Sequence, residues 1–383
     1  MATFPYSPDW GATPDLQPRV LQAKFDDGYD QRAADGLNDL LATWKLTFSR
    51  RTQAEATAIA AWFARHRAHV TAFDWAGPFG GATAEQFGTG DGVTKNWALT
   101  GAGIPVSTAT VTSIWRNDWQ GNQLLYSVSR SNAALYSEQF DNAAWTKFNS
   151  TILANVSVAP DGTSTMDAVV ENATNALHGV SQTYSAVAGQ KICLSYFVKP
   201  NTRTKCSLVI NYSDGGYQQA YFDVAGASVT SNTSAGGAAL GVASISYVGV
   251  FSGLPVYRVS LAGVASASGA TSIEFRLCDS SGNQTYAGVG SDMHIWGGQI
   301  EPNQTYASGP TSYIGPTTTA AVAVTDYTVS GVSVSFGVAP ASGAVLTWSG
   351  SYTFKFVAVK WTQPRPNDFN SWSVTAEFRQ VPA

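Results

Sequence analysis

The middle of the chain, from residue 130 to residue 315, carries a series of apolar strand candidates separated by clusters of Gly, Ser, Asn and Asp. These four residue types form the tight turns that connect neighbouring strands. The candidates span residues 191–199, 205–212, 217–224, 256–263, 271–278 and 292–300. This spacing is typical of a β-sandwich or a jelly roll, and a jelly roll also brings its two ends close together. We therefore predict that residues 130–315 form an independently folding jelly-roll sandwich.

The composition agrees with a chain made mostly of strands. Charged residues make up 13% and hydrophobic residues 44% of the 383 residues, and 12 Trp, 16 Tyr and 18 Phe are present. Aromatic residues favour strands, and this hydrophobic fraction excludes general disorder. The length predicts two or three domains. We expect a mainly β fold with little helix.

Apolar residues also alternate with other residues near both ends of the chain. They are Trp44, Leu46 and Phe48 on one side and Trp372, Val374, Ala376 and Phe378 on the other. Alternation with a period of two predicts a strand with one buried face. After the first of these strands, Thr52 and Glu55 have the spacing of a capping box, which predicts a helix that lies across a sheet.

The segment KFDDGYDQRAADGLN, residues 24–38, resembles the lambda-type phage minor tail protein M family. The resemblance covers about residues 1–79 and resumes at residues 349–383. It implies a distal tail protein of a long-tailed bacteriophage, a hexameric ring subunit between the tail tube and the tip of the virion. Its implied partners are other copies of itself, the tail tube protein and the tip hub proteins, and DNA would pass through without specific binding.

The same motif contains turn-forming and polar residues that could hold loops at a contact between ring subunits. They are Asp26, Asp27, Gly28, Tyr29, Arg32 and Asn38. The alternative is that they stabilise only their own domain.

These segments predict three nested domains. A tail-tip ring domain comprises residues 1–80 and 349–383, and a small β-domain comprises residues 81–129 and 316–348, whose two halves are expected to pair. The inserted sandwich comprises residues 130–315. Its flanking segments resemble the opening and closing strands of the carbohydrate-binding modules of many tail proteins.

The polar sides of three strand candidates in the sandwich suit a sugar ligand. A pyranose offers C–H groups to an aromatic ring and hydroxyl groups to planar donors and acceptors. Trp296 would be the aromatic platform, and tyrosines beside the turn SDGGY are further candidates. The predicted glycan-binding residues are Tyr212, Tyr217, Tyr221, Arg258, Glu274, Arg276, His294 and Trp296. Ordinary solvated surface is the alternative for each of them.

The sequence does not contain the GxSxG, HExxH or Walker patterns of common enzymes, and GTGDG predicts a turn rather than a phosphate loop. We expect no enzyme activity, no zinc site and no cofactor, with a structural Ca²⁺ left open. Two alternatives to glycan binding remain for the sandwich. It could be purely architectural and dock tail fibres or tip proteins, or it could be a hydrolase that trims polysaccharide.

The net charge of −4, without clusters of Lys or Arg, argues against a surface specialised for nucleic acid. A secretion signal and an apolar stretch of about 18 residues are not found, so we expect assembly in the cytoplasm of the bacterial host. The three cysteines, Cys193, Cys206 and Cys278, have no metal-ligand spacing and are expected to be reduced and packed in or near strands.

Overall fold

The computed structural model describes residues 2–9, 11–12, 14–16, 20–24, 30–34, 42–77, 81–101, 103–302, 310–368 and 371–381. The chain divides into two compact units: unit 1 is Met1–Trp115 with Thr328–Ala383, and unit 2 is Arg116–Tyr327. Nearly all regular structure is β-strand, which confirms the predicted mainly β fold. Helix α1 (Gln53–Arg65) is the single helix in these residues, and no helix there is long and apolar enough to cross a membrane.

The strands are numbered along the chain. Up to the first boundary between the units they are β1 (Pro14–Leu16), β2 (Val20–Lys24), β3 (Asp30–Ala34), β4 (Ala42–Arg51), β5 (Phe73–Trp75), β6 (Gly81–Thr89), β7 (Asn96–Ala98), β8 (Thr100–Gly101), β9 (Ile104–Pro105) and β10 (Thr108–Asp118). In unit 2 they are β11 (Gly121–Leu125), β12 (Arg130–Asn132), β13 (Thr146–Phe148), β14 (Ser150–Ser157), β15 (Met166–Glu171), β16 (Asn175–Ala176), β17 (Gly179–Ala186), β18 (Lys191–Pro200), β19 (Lys205–Asn211), β20 (Tyr217–Asp223), β21 (Ser228–Ala235), β22 (Val242–Phe251), β23 (Leu254–Val264), β24 (Gly269–Cys278), β25 (Tyr286–Ala287), β26 (Asp292–Pro302) and β27 (Val322–Val324). From the second boundary onward they are β28 (Tyr327–Ser330), β29 (Ser333–Phe336), β30 (Val345–Trp361), β31 (Arg365–Asp368) and β32 (Ser371–Gln380).

The largest sheet of unit 1 joins the two ends of the chain. It contains the strands β1–β4–β32–β30–β10 in that order. Strands β4 and β32 pair antiparallel, with Thr43 opposite Arg379 at one end and Arg51 opposite Trp372 at the other. The predicted association of the N-terminal and C-terminal segments in one body is therefore confirmed.

Helix α1 packs against this sheet through aromatic side chains. The Thr52 hydroxyl accepts a hydrogen bond from the N–H of Glu55, and the Glu55 carboxylate accepts one from the N–H of Thr52 at 2.9 Å, which confirms the capping box. On the buried face of the helix, the ring of Phe63 lies 5.1 Å from that of Phe4 and 5.6 Å from that of Phe378. Contact with rings from the N-terminal segment and from β32 anchors the helix on the core.

Strand β30 connects the large sheet to the smaller strands of unit 1. Its first part pairs with β6, from Val345 opposite Thr89, and its later part pairs with β5 and β32. Strands β28, β29 and β7 form a further sheet, with Ser333 opposite Ala98. The two halves of the predicted small β-domain thus pair as expected. The division into three domains stays a prediction, since both predicted terminal domains contribute to unit 1.

The GTGDG segment, residues 88–92, begins at the end of β6 and continues into a loop. The Asp91 carboxylate accepts hydrogen bonds from the backbone N–H groups of Val93 and Thr94 and from the Thr94 hydroxyl. These hydrogen bonds, that of the Thr94 hydroxyl first, lower the pKa of Asp91 to about 2. The carboxylate therefore stabilises its own loop.

Unit 2 is a sandwich of two six-stranded sheets. The front sheet has the order β13–β17–β24–β19–β20–β21, and the back sheet has the order β14–β15–β26–β18–β23–β22. Side chains from both sheets form one core between them, with Tyr196, Phe222 and Phe275 among the largest. All six strand candidates of the sequence correspond to strands of these sheets. The three cysteines are free and buried in β18, β19 and β24, as expected.

Candidate functional site: the polar face of the sandwich

Alternate residues of the front sheet point away from the core and form a surface that we name the polar face. On β19, Cys206, Leu208 and Ile210 belong to the core, so Ser207, Val209 and Asn211 point to the other side of the sheet. Ser207 and Val209 are nevertheless buried there. The same alternation holds for β17, β20 and β24. The polar face consists of Ser181, Thr183, Ser207, Asn211, Tyr217, Gln219, Tyr221, Ser272, Glu274 and Arg276.

The strand register arranges these side chains in rows across the sheet. One row contains Tyr221, Ser207 and Arg276, the next contains Gln219, Val209 and Glu274, and the third contains Tyr217, Asn211 and Ser272. Side chains directly opposite each other are about 5 Å apart, and four residues along one strand span about 13 Å. The face therefore has a half-buried tyrosine in its first and in its third row, and the middle row holds Gln219, the buried Val209 and Glu274.

A buried network at the centre of the polar face holds an arginine in place. The Arg276 Nε donates to Glu274 Oε2 at 2.7 Å, and its Nη1 donates to Gln284 Oε1 at 2.8 Å. Glu274 Oε1 accepts from Asn211 Nδ2 at 2.7 Å and from Ser272 Oγ at 3.0 Å. The two charged side chains are only 13% and 12% exposed. Their planar groups are therefore fixed before any ligand arrives, which lowers the entropic cost of binding.

Gln219 adds a donor that the fold does not use. The residue is 8% exposed, and its Nε2 is buried without a hydrogen-bond partner among the described residues. Leaving such a group unpaired costs about 1–3 kcal/mol. A ligand oxygen at this position would recover that energy. Ser207, Asn211 and Gln219 were not predicted from the sequence. Their alternation with the apolar residues of β19 and β20 indicates that they lie on the outward side of these strands.

The structure brings four of the eight predicted glycan-binding residues together on the polar face, namely Tyr217, Tyr221, Glu274 and Arg276. Tyr212 lies elsewhere, because its side chain is buried at the end of β19 and its hydroxyl donates to Gln218 Oε1 at 3.0 Å. Burial raises the pKa of Tyr212. Its phenol is therefore part of the core.

Arg258, His294 and Trp296 lie on the back sheet, because β23 and β26 belong to it while β24 belongs to the front sheet. The expectation that Trp296 forms an aromatic platform is wrong. Its indole ring is 1% exposed and lies 5.3 Å from the ring of Phe197 and 4.7 Å from that of Tyr313. A second, smaller apolar cluster surrounds Trp296. It combines outward-facing residues of the back sheet, such as Phe197 and Val256, with Trp119, Ala159 and Tyr313 from segments outside the sheet.

The two other back-sheet residues also have structural partners. Arg258 donates to the backbone carbonyl of Thr311 at 2.6 Å and to Ser195 Oγ at 3.0 Å. His294 Nε2 lies 3.4 Å from Asp292 Oδ2, and burial lowers the pKa of the imidazole. No group of three or more His, Cys, Asp or Glu side chains that could hold a metal ion occurs in the described part of the chain. The glycan-binding role of Tyr217, Tyr221, Glu274 and Arg276 stays a prediction.

Most of the predicted ring-contact motif lies outside the described residues. This applies to Asp26, Asp27, Gly28, Tyr29 and Asn38. Arg32 is exposed on β3 and its Nη2 lies 3.0 Å from Asp30 Oδ2. The contact role of the motif stays a prediction.

Comparison with known proteins relates part of the chain to a protein family and to solved structures. Residues 2–101 match the family of phage minor tail proteins. This match supports a phage minor tail protein with a structural role in the virion tail. It ends before unit 2 begins, so any function of the sandwich must be argued from the sandwich itself.

The chain is also similar to the enzymatically active domain of tailspike protein 4 from bacteriophage CBA120. The identity is 16%, the alignment covers 46% of this chain and 21% of that chain, and the TM-score is 0.27. The chain thus spans about a fifth of the tailspike domain, and a likeness this weak carries no argument about fold or activity. No curated protein sequence is significantly similar to the chain.

Proposed function

We propose that the protein is a structural subunit of the tail tip of a long-tailed phage and that the polar face of unit 2 binds a glycan of the host surface. The family match of residues 2–101 supports the first part. The convergence of Tyr217, Gln219, Tyr221 and the fixed Arg276 on one face of the front sheet supports the second part. This convergence is the observation on which the glycan role rests.

The resemblance to the lambda-type family implies how the subunit is used. Six copies would form a distal-tail ring that contacts the tail tube and the tip hub, and DNA would pass through its centre. The sandwich would point outward, because a domain of this size inside the ring would block the DNA. Display of several copies on one ring multiplies a weak affinity for a host polysaccharide during adsorption.

The connectivity of the sandwich supports a carbohydrate-binding module. Four neighbouring strands of the back sheet have the order β15–β26–β18–β23, and four of the front sheet have the order β17–β24–β19–β20. These two orders are those of two Greek keys in a jelly roll. On the polar face, Tyr217 and Tyr221 are too far apart to stack on one pyranose, since four strand residues span about 13 Å. The proposed ligand is therefore an oligosaccharide segment that contacts both rings, with its hydroxyl groups toward Arg276 and Gln219.

The double variant Tyr217→Ala/Tyr221→Ala tests this proposal. Each ring contributes about 1 kcal/mol, so the affinity of the full-length protein for host surface polysaccharide should fall about 10- to 30-fold. Surface plasmon resonance on immobilised polysaccharide measures this change. Val289→Ala, which alters a side chain that is 79% exposed and outside the polar face, is the control.

The same variant in assembled virions separates the alternatives. Normal tails with weak host adsorption would support the glycan role, whereas defective tails would support a purely architectural sandwich. Release of oligosaccharides from polysaccharide incubated with the purified protein would instead indicate a hydrolase. Unchanged affinity in the double variant would exclude the polar face as the glycan site.

A further inference from the structure

A separate cleft of about 390 Å³ lies on the outer side of the back sheet. Strands β22 and β23 form one wall, and the segment of β11 together with residues 310–312 forms the other. Its volume falls within the range of about 300–1,000 Å³ that small-molecule sites occupy. Because the polar face belongs to the other sheet, a ligand in this cleft would not depend on the polar face.

Arg258 lines this cleft and is 7% exposed. Its two terminal nitrogens donate to a carbonyl and a hydroxyl oxygen rather than to a carboxylate, and its guanidinium lies 4.9 Å from the centre of the Phe197 ring. The Nε atom has no hydrogen-bond partner among the residues that the structure describes. The nearby carboxylate of Glu301 already accepts a hydrogen bond from the N–H of Thr311 at 2.9 Å. Arg258 therefore keeps the capacity to bind an anion.

The other residues of the cleft add groups that suit a sugar ring. Gln123 Oε1 is buried without a partner, while the Nε2 of the same side chain donates to the backbone and the side-chain oxygens of Gln120. Ser244 and Ser246 on β22 lie opposite Ser260 and Arg258, so their hydroxyl groups are on the same face of the back sheet as Arg258. Within the described residues, Arg258 is the charged side chain that lines the cleft. The lining thus combines one cation, an unused acceptor and hydroxyl groups.

We propose that this cleft binds an acidic sugar, a pyranose that carries a carboxylate or a phosphate, with the anion at Arg258. A guanidinium matches both anions with paired N–H donors. Gln123 accepts a hydrogen bond from a hydroxyl group of the sugar, and the hydroxyl of Ser246 lies on the same face of the sheet as Arg258. The site goes beyond the proposed function because it adds a second sugar specificity on the opposite sheet.

The first experiment compares three sugars that differ only in the group at C6, which is a carboxylate, a phosphate ester or a hydroxyl group. Isothermal titration calorimetry of the full-length protein with glucuronate, glucose 6-phosphate and glucose should show at least one anionic sugar binding about tenfold more tightly than glucose. The tighter binder of glucuronate and glucose 6-phosphate shows whether the site prefers a carboxylate or a phosphate. Equal affinity for all three, or no binding of any of them, would overturn the proposal.

The second experiment changes the charge at the rim of the cleft. Ser246 is exposed on β22 and lines the cleft, so Ser246→Asp places a carboxylate there without disturbing the core. The matched variant Ser246→Asn reports the effect of size alone. We expect the acidic sugar to bind about tenfold more weakly to Ser246→Asp than to Ser246→Asn, and equal binding would refute an anion site.

Two further variants locate the bound anion. Arg258→Lys keeps the charge but loses the fork of N–H donors, and it should remove most of the preference for the acidic sugar over glucose. If Arg258→Lys does not fold, the comparison of Ser246→Asp with Ser246→Asn decides whether the cleft binds an anion. Retained glucuronate binding in the Tyr217→Ala/Tyr221→Ala variant places the anion in the cleft, whereas its loss would place the anion on the polar face and overturn the proposal.

Discussion

Phe378 tests whether the two ends of the chain share one core. This side chain of β32 is 0% exposed, and its ring lies 5.2 Å from that of Phe4, 5.0 Å from that of Phe73 and 5.1 Å from that of Trp75. A buried Phe→Ala substitution costs about 3–5 kcal/mol, and the cost is highest where the neighbours cannot collapse into the cavity. Since these neighbours come from separate segments held by the sheet and helix, we expect about 4–5 kcal/mol for Phe378→Ala.

Differential scanning calorimetry measures the effect. For a unit of this size, 1 kcal/mol shifts the melting temperature by about 2–4 °C, so Phe378→Ala should lower the transition of unit 1 by about 10–15 °C. Hydrogen exchange should become faster in β4, β30 and β32 and stay unchanged in the strands of unit 2. The control is Val359→Ala on β30, where the side chain is 49% exposed and the expected change is below about 0.5 kcal/mol. A shift as small as that of the control, or an equal shift in both units, would refute the shared core.

Two further predictions concern buried groups of unit 2. Burial acts to raise the pKa of Glu171, but hydrogen bonds, that of Arg203 above all, outweigh it and lower the pKa from 4.5 to about 2. The stabilisation by the ionised Glu171 is therefore present above pH 4.5 and is lost as the pH falls toward 2. The free energies of unfolding of wild type and Glu171→Gln, from thermal melts, should differ by about 3 kcal/mol near neutral pH and converge in acid. A constant difference across this range would contradict the assignment. Burial also raises the pKa of Cys278 to about 12 and the pKa values of Cys193 and Cys206 above their usual range. Dithionitrobenzoate should therefore label none of the three thiols in the native protein and all three in denaturant. Rapid labelling of the native protein would show that the strands open.

The amino-acid sequence by itself determined the local elements of this protein. The residue pattern marked six of the twelve strands in the two sandwich sheets, because a strand places successive side chains on opposite faces whatever its neighbours are. Thr52 and Glu55 marked the start of the helix for an equally local reason, since a capping box involves residues only three positions apart. The association of the chain ends was also predictable, although it rested on a family resemblance rather than on spacing.

Only the tertiary structure decided which strands share a sheet and which outward faces meet solvent. The strands that contain Glu274 and Trp296 show the same alternation of apolar and other residues. Yet β24, which contains Glu274, belongs to the front sheet, and β26, which contains Trp296, belongs to the back sheet. The outward face of β24 is partly open, whereas Trp296 is covered by other segments. Strand pairing and coverage of a face depend on residues far away in the chain, and periodicity within one segment contains no information about them. The polar face and the cleft therefore became visible only once the sheets were assembled.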